Sequence, residues 1–432
     1  MRWRRSDRSR FVTLTGLVAG CLVSAGAQSA DLPAKSSAPV EYVRLCSTHG
    51  EGFFYIPGTE TCLRISGRVR AEYRYLEPGT REEDSIGFRA RARLNMDART
   101  NTSYGLLRTY LRYELTRNTG NYGGSTAVVD RAFVQFGGLT AGRVQSFFDF
   151  YVNDYNFGSI FVSDFSTQAL AYTVKAGALS ATLALEDNVE RQFFSNPNGA
   201  DFDGQGFLAA GERVPDVVGQ LLWEESWGKV QLTAALHQIR SDNLVPAFDP
   251  AAFPDTEYGF AVQAGLQFKL PVIAAGDELW LQGAYAEGAM SYLGMGNTSI
   301  KKLNVNQTDA YIDVFGNIQR SRSWAATALF QHYWTPTIRQ AVFASYGVIE
   351  YPSNGVVTSA NGASSGFIDT DDLRLGSNLV WLPVRGFYIG VEGIYRRVNL
   401  QGGAVPETDT ASSRLIDSAD AFEARVRVQR DF

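Results

Sequence analysis

Three cysteines and three histidines in 432 residues leave little from which to build a metal centre. His49, His237 and His332 are scattered without ligand spacing, and the cysteines lack the clustering of a zinc site. No Ser-His-acid arrangement stands out either, so neither an enzyme nor a cofactor is expected. Beyond residue 30 no stretch reaches the roughly 20 apolar residues that a membrane helix needs, which excludes a helical membrane protein. It does not bear on a protein that crosses a membrane with strands, because strand segments are short and half polar. Gly137 and Gly138 are turn residues, outside any phosphate-binding pattern. A nucleic-acid binder is not expected, since the chain is acidic overall, at −5, and its arginines lie on sheet faces without a recognition motif.

What is present begins with an export signal. Arg2, Arg4, Arg5, Arg8 and Arg10 precede an apolar run, Phe11 to Val23, and then small residues, with cleavage expected after Ala27 or Ala30. Loss of residues 1–30 removes five arginines and one aspartate and takes the charge from −5 to −9. Cys21 leaves with this segment. Cys46 and Cys62 remain as an even pair in an oxidising compartment, where a bridge would contribute roughly 3 kcal/mol by chain entropy. Two free thiols are the alternative.

From Cys62 onward the residues alternate. Leu63, Ile65, Val69, Ala71, Tyr73 and Tyr75 share one face, and Arg64, Arg68, Arg70, Glu72 and Arg74 the other. The next segment sets Phe88, Ala90, Ala92, Leu94 and Met96 against Arg89, Arg91, Arg93, Asp97 and Arg99. A period of two sustained this long means strands between two unlike environments. Similar segments recur to Phe432, giving seventeen candidates, one of them at 308–316. A single-chain bacterial barrel closes with an even number, and sixteen is the expected count. Tight connections at Asn101-Thr102, Gly137-Gly138 and Ala176-Gly177-Ala178 contrast with long polar ones at 188–214, 241–255, 289–307, 348–370 and 398–419, as expected for the two rims of an outer-membrane barrel. Tyr73, Tyr75, Trp223, Trp227, Tyr333, Trp334 and Trp381 near segment ends suit the membrane interfaces. The expected organisation is a leader at 1–30, a periplasmic segment at 31–61 with the Cys46–Cys62 pair, and an all-β transmembrane barrel at 62–432.

Two blocks carry a family resemblance: "PVEYVRLCSTHGEGFFYIPGTETCLRISGRVRAEYRY" at Pro39–Tyr75, and the stretch containing Arg131, Phe133, Gln135, Gly137, Gly138, Gly142, Ser146 and Phe147. With the terminal Phe432, they make the chain resemble the alphaproteobacterial general porins of Brucella and Rhizobium type. The resemblance implies a 16-stranded antiparallel barrel in the outer membrane of a Gram-negative bacterium, assembled as a homotrimer, through which small hydrophilic solutes and ions diffuse. Such a location brings outer-membrane lipid, lipopolysaccharide and the barrel assembly machinery as partners.

The resemblance further implies a third long loop folded into the lumen. Here that loop is roughly Phe148 to Gln168, with Asp149, Tyr151, Asp154, Tyr155 and Asp164. Arg64, Arg68, Arg70, Arg89, Arg91, Arg93, Arg108, Arg112 and Arg131 point inward by parity and form a basic wall facing this acidic loop, with Glu72, Asp97 and Glu114 as neutralising neighbours. Opposed charges would set up a transverse field across the lumen. The alternatives are arginines that only brace the wall and aspartates that belong to a solvated turn. Two other functions compete with general diffusion: a substrate-specific channel, and a plugged structural or adhesive barrel.

Overall fold

A strand with one apolar and one polar face needs a sheet that separates two media, and closing that sheet on itself leaves no unpaired edge in the apolar one. In the computed structural model, residues 44–432 are described apart from 196–205, 246–251, 297–298, 353–354 and 409–413. The expected leader at 1–30, with its cleavage site, and the first part of the 31–61 segment lie outside the described residues. Leu45–Phe432 form one compact unit.

The sheet has sixteen wall strands: β1 (Cys62–Leu76), β2 (Ile86–Thr102), β3 (Gly105–Gly120), β4 (Thr126–Phe136), β5 (Leu139–Gln145), β6 (Ser166–Ala176), β7 (Leu179–Glu186), β8 (Asp216–Glu225), β9 (Gly228–Ile239), β10 (Glu257–Lys269), β11 (Glu278–Glu287), β12 (Arg322–Thr335), β13 (Ile338–Glu350), β14 (Thr370–Val384), β15 (Phe387–Leu400) and β16 (Ser418–Asp431). Each pairs antiparallel with the next, and β16 returns to β1, with Arg68 opposite Asp431 and Leu76 opposite Glu423. Gly67 and Phe432 complete the seam by exchanging N–H···O=C bonds of 2.8 and 3.0 Å. The barrel is therefore closed.

The seventeenth candidate, 308–316, is not a wall strand. Ala310–Ile312 pairs only with Ile318–Arg320, as a small hairpin inside the connection between β11 and β12. All three of its residues are buried: Ala310 and Ile312 in a cluster with Phe207, Ile239 and Val245, and Tyr311 on the opposite side against Tyr351 and Phe367. A hairpin sunk in loop residues has no lipid side, so its apolar residues imitate a strand in sequence without one in space.

The two rims differ as expected. On one, six connections have two residues, among them 137–138 and 177–178, and the seventh, 270–277, has eight. The β2–β3 turn is at 103–104, just beyond the Asn101-Thr102 pair, which ends β2. The other rim carries the long loops 146–165, 187–215, 240–256, 288–321, 351–369 and 401–417. The N-terminal segment lies at the tight-turn rim, where Phe54–Tyr55 adds a two-residue strand to β1. There Cys46 and Cys62 form a disulfide with a Cα–Cα separation of 5.9 Å.

The outward face is apolar at mid-height, with Leu94, Leu115, Leu183, Leu232, Val342 and Val391 exposed. Exposed rings border it at both ends. Tyr104, Phe136, Trp223, Trp227, Trp334 and Trp381 sit toward the tight turns, and Tyr73, Tyr75, Phe88, Tyr258, Trp324 and Phe422 toward the long loops. The tyrosines and tryptophans among them, with an apolar body and a polar tip, suit those two levels of a bilayer.

Candidate channel and inward loop

The inner face of the barrel changes character around its circumference. On β1 to β4, parity turns inward the nine predicted arginines together with Arg74 and Arg99. Four carboxylates lie among them, and each is shared by two guanidiniums. Glu72 meets Arg427 at 2.5 Å and Arg89 at 3.4 Å. Asp97 meets Arg99 at 2.8 Å and Arg108 at 2.9 Å. Glu114 meets Arg93 at 2.7 Å and Arg91 at 3.2 Å. Asp130, raised on a bulge in β4, meets Arg112 at 3.3 Å and Arg131 at 3.9 Å. Arg68 has Asp431 of the seam at 2.7 Å. Among the described residues no carboxylate pairs with Arg64, which lies 5.0 Å over the Phe53 ring, or with Arg70, which donates to Gln429 at 2.8 Å. Neutralisation is thus incomplete.

On β6 to β13 the inward positions are small instead: Ala171, Ala184, Val218, Ala235, Ala261, Ala286, Ala325 and Ala341. This is the side against which loop 146–165 lies, and short side chains leave room for its aromatic residues. Phe148 packs on Tyr292, Phe150 and Tyr151 on Trp280, and Phe161 beneath Arg374. At two wall positions even a methyl group is excluded. A Cβ on Gly265 would strike the Phe150 ring, and one on Gly390 would strike Phe157.

Wall side chains hold the loop along its whole length. The Phe148 carbonyl accepts from Gln263 at 2.9 Å, and the Asp149 carbonyl from Gln231 at 2.8 Å. Tyr155 donates its hydroxyl to Glu278 at 2.9 Å, and the Tyr155 carbonyl accepts from Asn378 at 2.7 Å. The Glu392 carboxylate accepts the N–H groups of Phe157 and Gly158, both at 2.6 Å. Arg425 donates to the Phe157 carbonyl at 2.6 Å, Arg374 to that of Ser159 at 3.1 Å, and Thr327 to that of Phe161 at 2.7 Å. From β7 to β16 the loop is stitched to the wall, and among the described residues none of its hydrogen bonds reaches β1 to β4.

The five predicted loop residues fall into two groups. Asp149 and Tyr151 are buried. Asp149 ties the neck of the loop, accepting from Ser163, Gln145 and the Phe165 N–H, with Arg191 at 3.7 Å. Tyr151 donates to Asn156 at 2.6 Å. Asp154 and Asp164 are exposed and Tyr155 is half-buried. Loss of water pushes the Asp154 carboxyl up, against the pull of Lys229, Arg68 and Arg131. Asp164 is exposed, with Asn153 and Gln145 beside its carboxylate. Loss of water and the nearby Asp149 charge raise it to about 6, against hydrogen bonds from Asn153 and Gln145.

Lys229, Glu278, Arg374, Glu392 and Arg425 were not singled out by sequence. The signal that could have found them is the change of inward residue from Arg on β1–β4 to Ala, Gln and Thr on β6–β13, which marks the half of the lumen that a loop can fill.

A closed sixteen-strand barrel with a loop laid inside it narrows the comparison to outer-membrane channels. The family model described as the porin subfamily matches residues 31–420. The chain belongs to this porin family. The porin is 32% identical over 305 residues to porin Omp2b of Brucella suis, an alignment covering 61% of this chain and 81% of that protein. It matches porin Omp2b of Brucella melitensis at the same identity over 301 residues, again 61% and 81%. Among solved structures, the outer membrane channel DcaP of Acinetobacter baumannii superposes with a TM-score of 0.61 at 14% identity, covering 88% of this chain and 99% of that one, a likeness of fold. The protein is an outer-membrane porin of a Gram-negative bacterium.

Proposed function

We propose that the porin is a general-diffusion channel whose narrowest passage lies between loop 146–165 and the arginine wall. One observation supports this reading: the loop is bonded to β7–β16, and among the described residues it makes no hydrogen bond to the face bearing Arg64, Arg68, Arg70, Arg89, Arg91, Arg93, Arg108, Arg112 and Arg131. Asp154 and Asp164 line the loop side of the passage, and Tyr155 borders it. Asp149 and Tyr151 shape the loop from within. Opposed charges across a water-filled gap orient polar solutes and disfavour apolar ones, which must shed ordered water to pass. In this reading residues 1–30 are the export leader and 31–61 are periplasmic. The protein assembles as a homotrimer in lipopolysaccharide-containing membrane, as the family resemblance implies, after insertion by the barrel assembly machinery.

Planar-bilayer recording of the purified protein tests the reading. Large steady conductance and linear flux of small sugars are expected. A folded barrel that carries no steady current would favour the plugged, adhesive alternative, and saturable flux would favour a substrate-specific channel.

A further inference from the structure

Arg68 and Arg70 on β1 stand directly across from Arg93 and Arg91 on β2. Like charges at directly opposed positions destabilise a strand pair, so two such pairs side by side work against the fold. Their relief is partial. Glu114 serves both Arg91 and Arg93, Asp431 serves Arg68, and among the described residues Arg70 has no carboxylate partner. Four guanidiniums and two carboxylates leave two positive charges in a patch at mid-height of the barrel, on strands to which loop 146–165 makes no hydrogen bond among the described residues, and one of the four, Arg68, acts on Asp154 of that loop.

We infer that this square is a binding station for small dianionic oxyanions, dicarboxylates or phosphates, and that it makes the porin anion-preferring. The inference rests on the pore reading above. A planar guanidinium offers a two-pronged donor that fits a carboxylate or a phosphate, and opposed guanidiniums on neighbouring strands flank a single oxyanion from two sides. A dianion matches the residual charge of the patch. Arg70 is the member with donors to spare, and the low-dielectric walls of the lumen focus its field on the passing solute.

The test is reversal potential across a potassium chloride gradient, followed by titration of chloride current with succinate in one series and inorganic phosphate in another. Wild-type protein should favour chloride over potassium and show saturable block by both dianions. Arg70→Gln should move the reversal potential toward cation preference and weaken the block on the order of tenfold, the loss of one charge-assisted contact. Arg70→Lys should keep the preference and lose part of the block. Arg385→Gln, which removes the same charge from an exposed turn, should change neither. A cation-preferring wild type, an absence of block, or a block that Arg70→Gln leaves unmoved overturns the station and spares the pore. Block by one series alone narrows the station to that oxyanion. A heat-modifiable, folded barrel without any current overturns the pore reading itself.

Discussion

Glu392 holds Phe157 in place: its carboxylate, buried on β15, receives the Phe157 N–H at 2.6 Å and that of Gly158 at the same distance. A loop segment with no strand to pair with has thus found in one wall side chain a substitute for a ladder. Glu392→Gln puts an amide NH2 in place of one acceptor and should weaken the attachment by about 1.5–3 kcal/mol, the worth of a hydrogen bond to a charged group. The expected result is noisier single-channel current and faster proteolysis within 146–165, with heat-modifiable mobility unchanged. A quiet channel of wild-type conductance would show that the neighbouring contacts suffice.

Gly265→Val should displace the Phe150 ring, because no room exists for the added methyl groups and β10 is held on both sides by its ladder. Of the two partners the loop is the one that yields. Altered conductance with an intact barrel is expected, and conductance at the wild-type level would mean that the ring finds another seat.

The Asp164 carboxyl, raised to about 6, is ionised above that pH and neutral below it. Between pH 7 and pH 5 the loop side of the passage therefore loses a negative charge, and the reversal potential should move toward anion preference. Asp164→Asn should sit at the low-pH value throughout and flatten the change. A profile that Asp164→Asn leaves sloping would place the titration elsewhere.

Replacing Cys46 and Cys62 with serine opens a link between residues 16 apart in sequence, for a loss of about 3 kcal/mol in the chain-entropy picture. The link lies at the tight-turn rim, away from loop 146–165. Faster proteolysis before Cys62 with unchanged conductance is the expected result, and a changed current would tie this segment to the passage.

Legibility in the sequence followed the solvent. Where a strand divides lipid from water, as from Leu63 to Tyr75 or Phe88 to Arg99, parity alone assigned each side chain to its face. The 137–138 turn was equally plain, whereas the Cys46–Cys62 pairing, expected from an even count, needed the fold to decide it against two free thiols. Legibility failed where both neighbours are protein. Ala310–Ile312 looks like wall because it is apolar, yet it is buried among loop residues. Asp149 and Asp164 are both aspartates of one loop, and only the fold separates the buried neck from the lumen edge. Partners such as Glu392 lie more than 200 residues from the loop they hold, beyond any local pattern.

The seam carries a consequence for biogenesis. Arg68 and Asp431 are 363 positions apart, so the contact that seals the cylinder is among the most distant the chain can make. Contacts of that kind form late, after the entropy of ordering everything between has been met. Until then β1 and β16 each present a row of unsatisfied N–H and C=O groups, open to mispairing with another copy. The newly exported polypeptide must therefore be shielded at both borders throughout its transit, and ring closure is the event that ends its exposure.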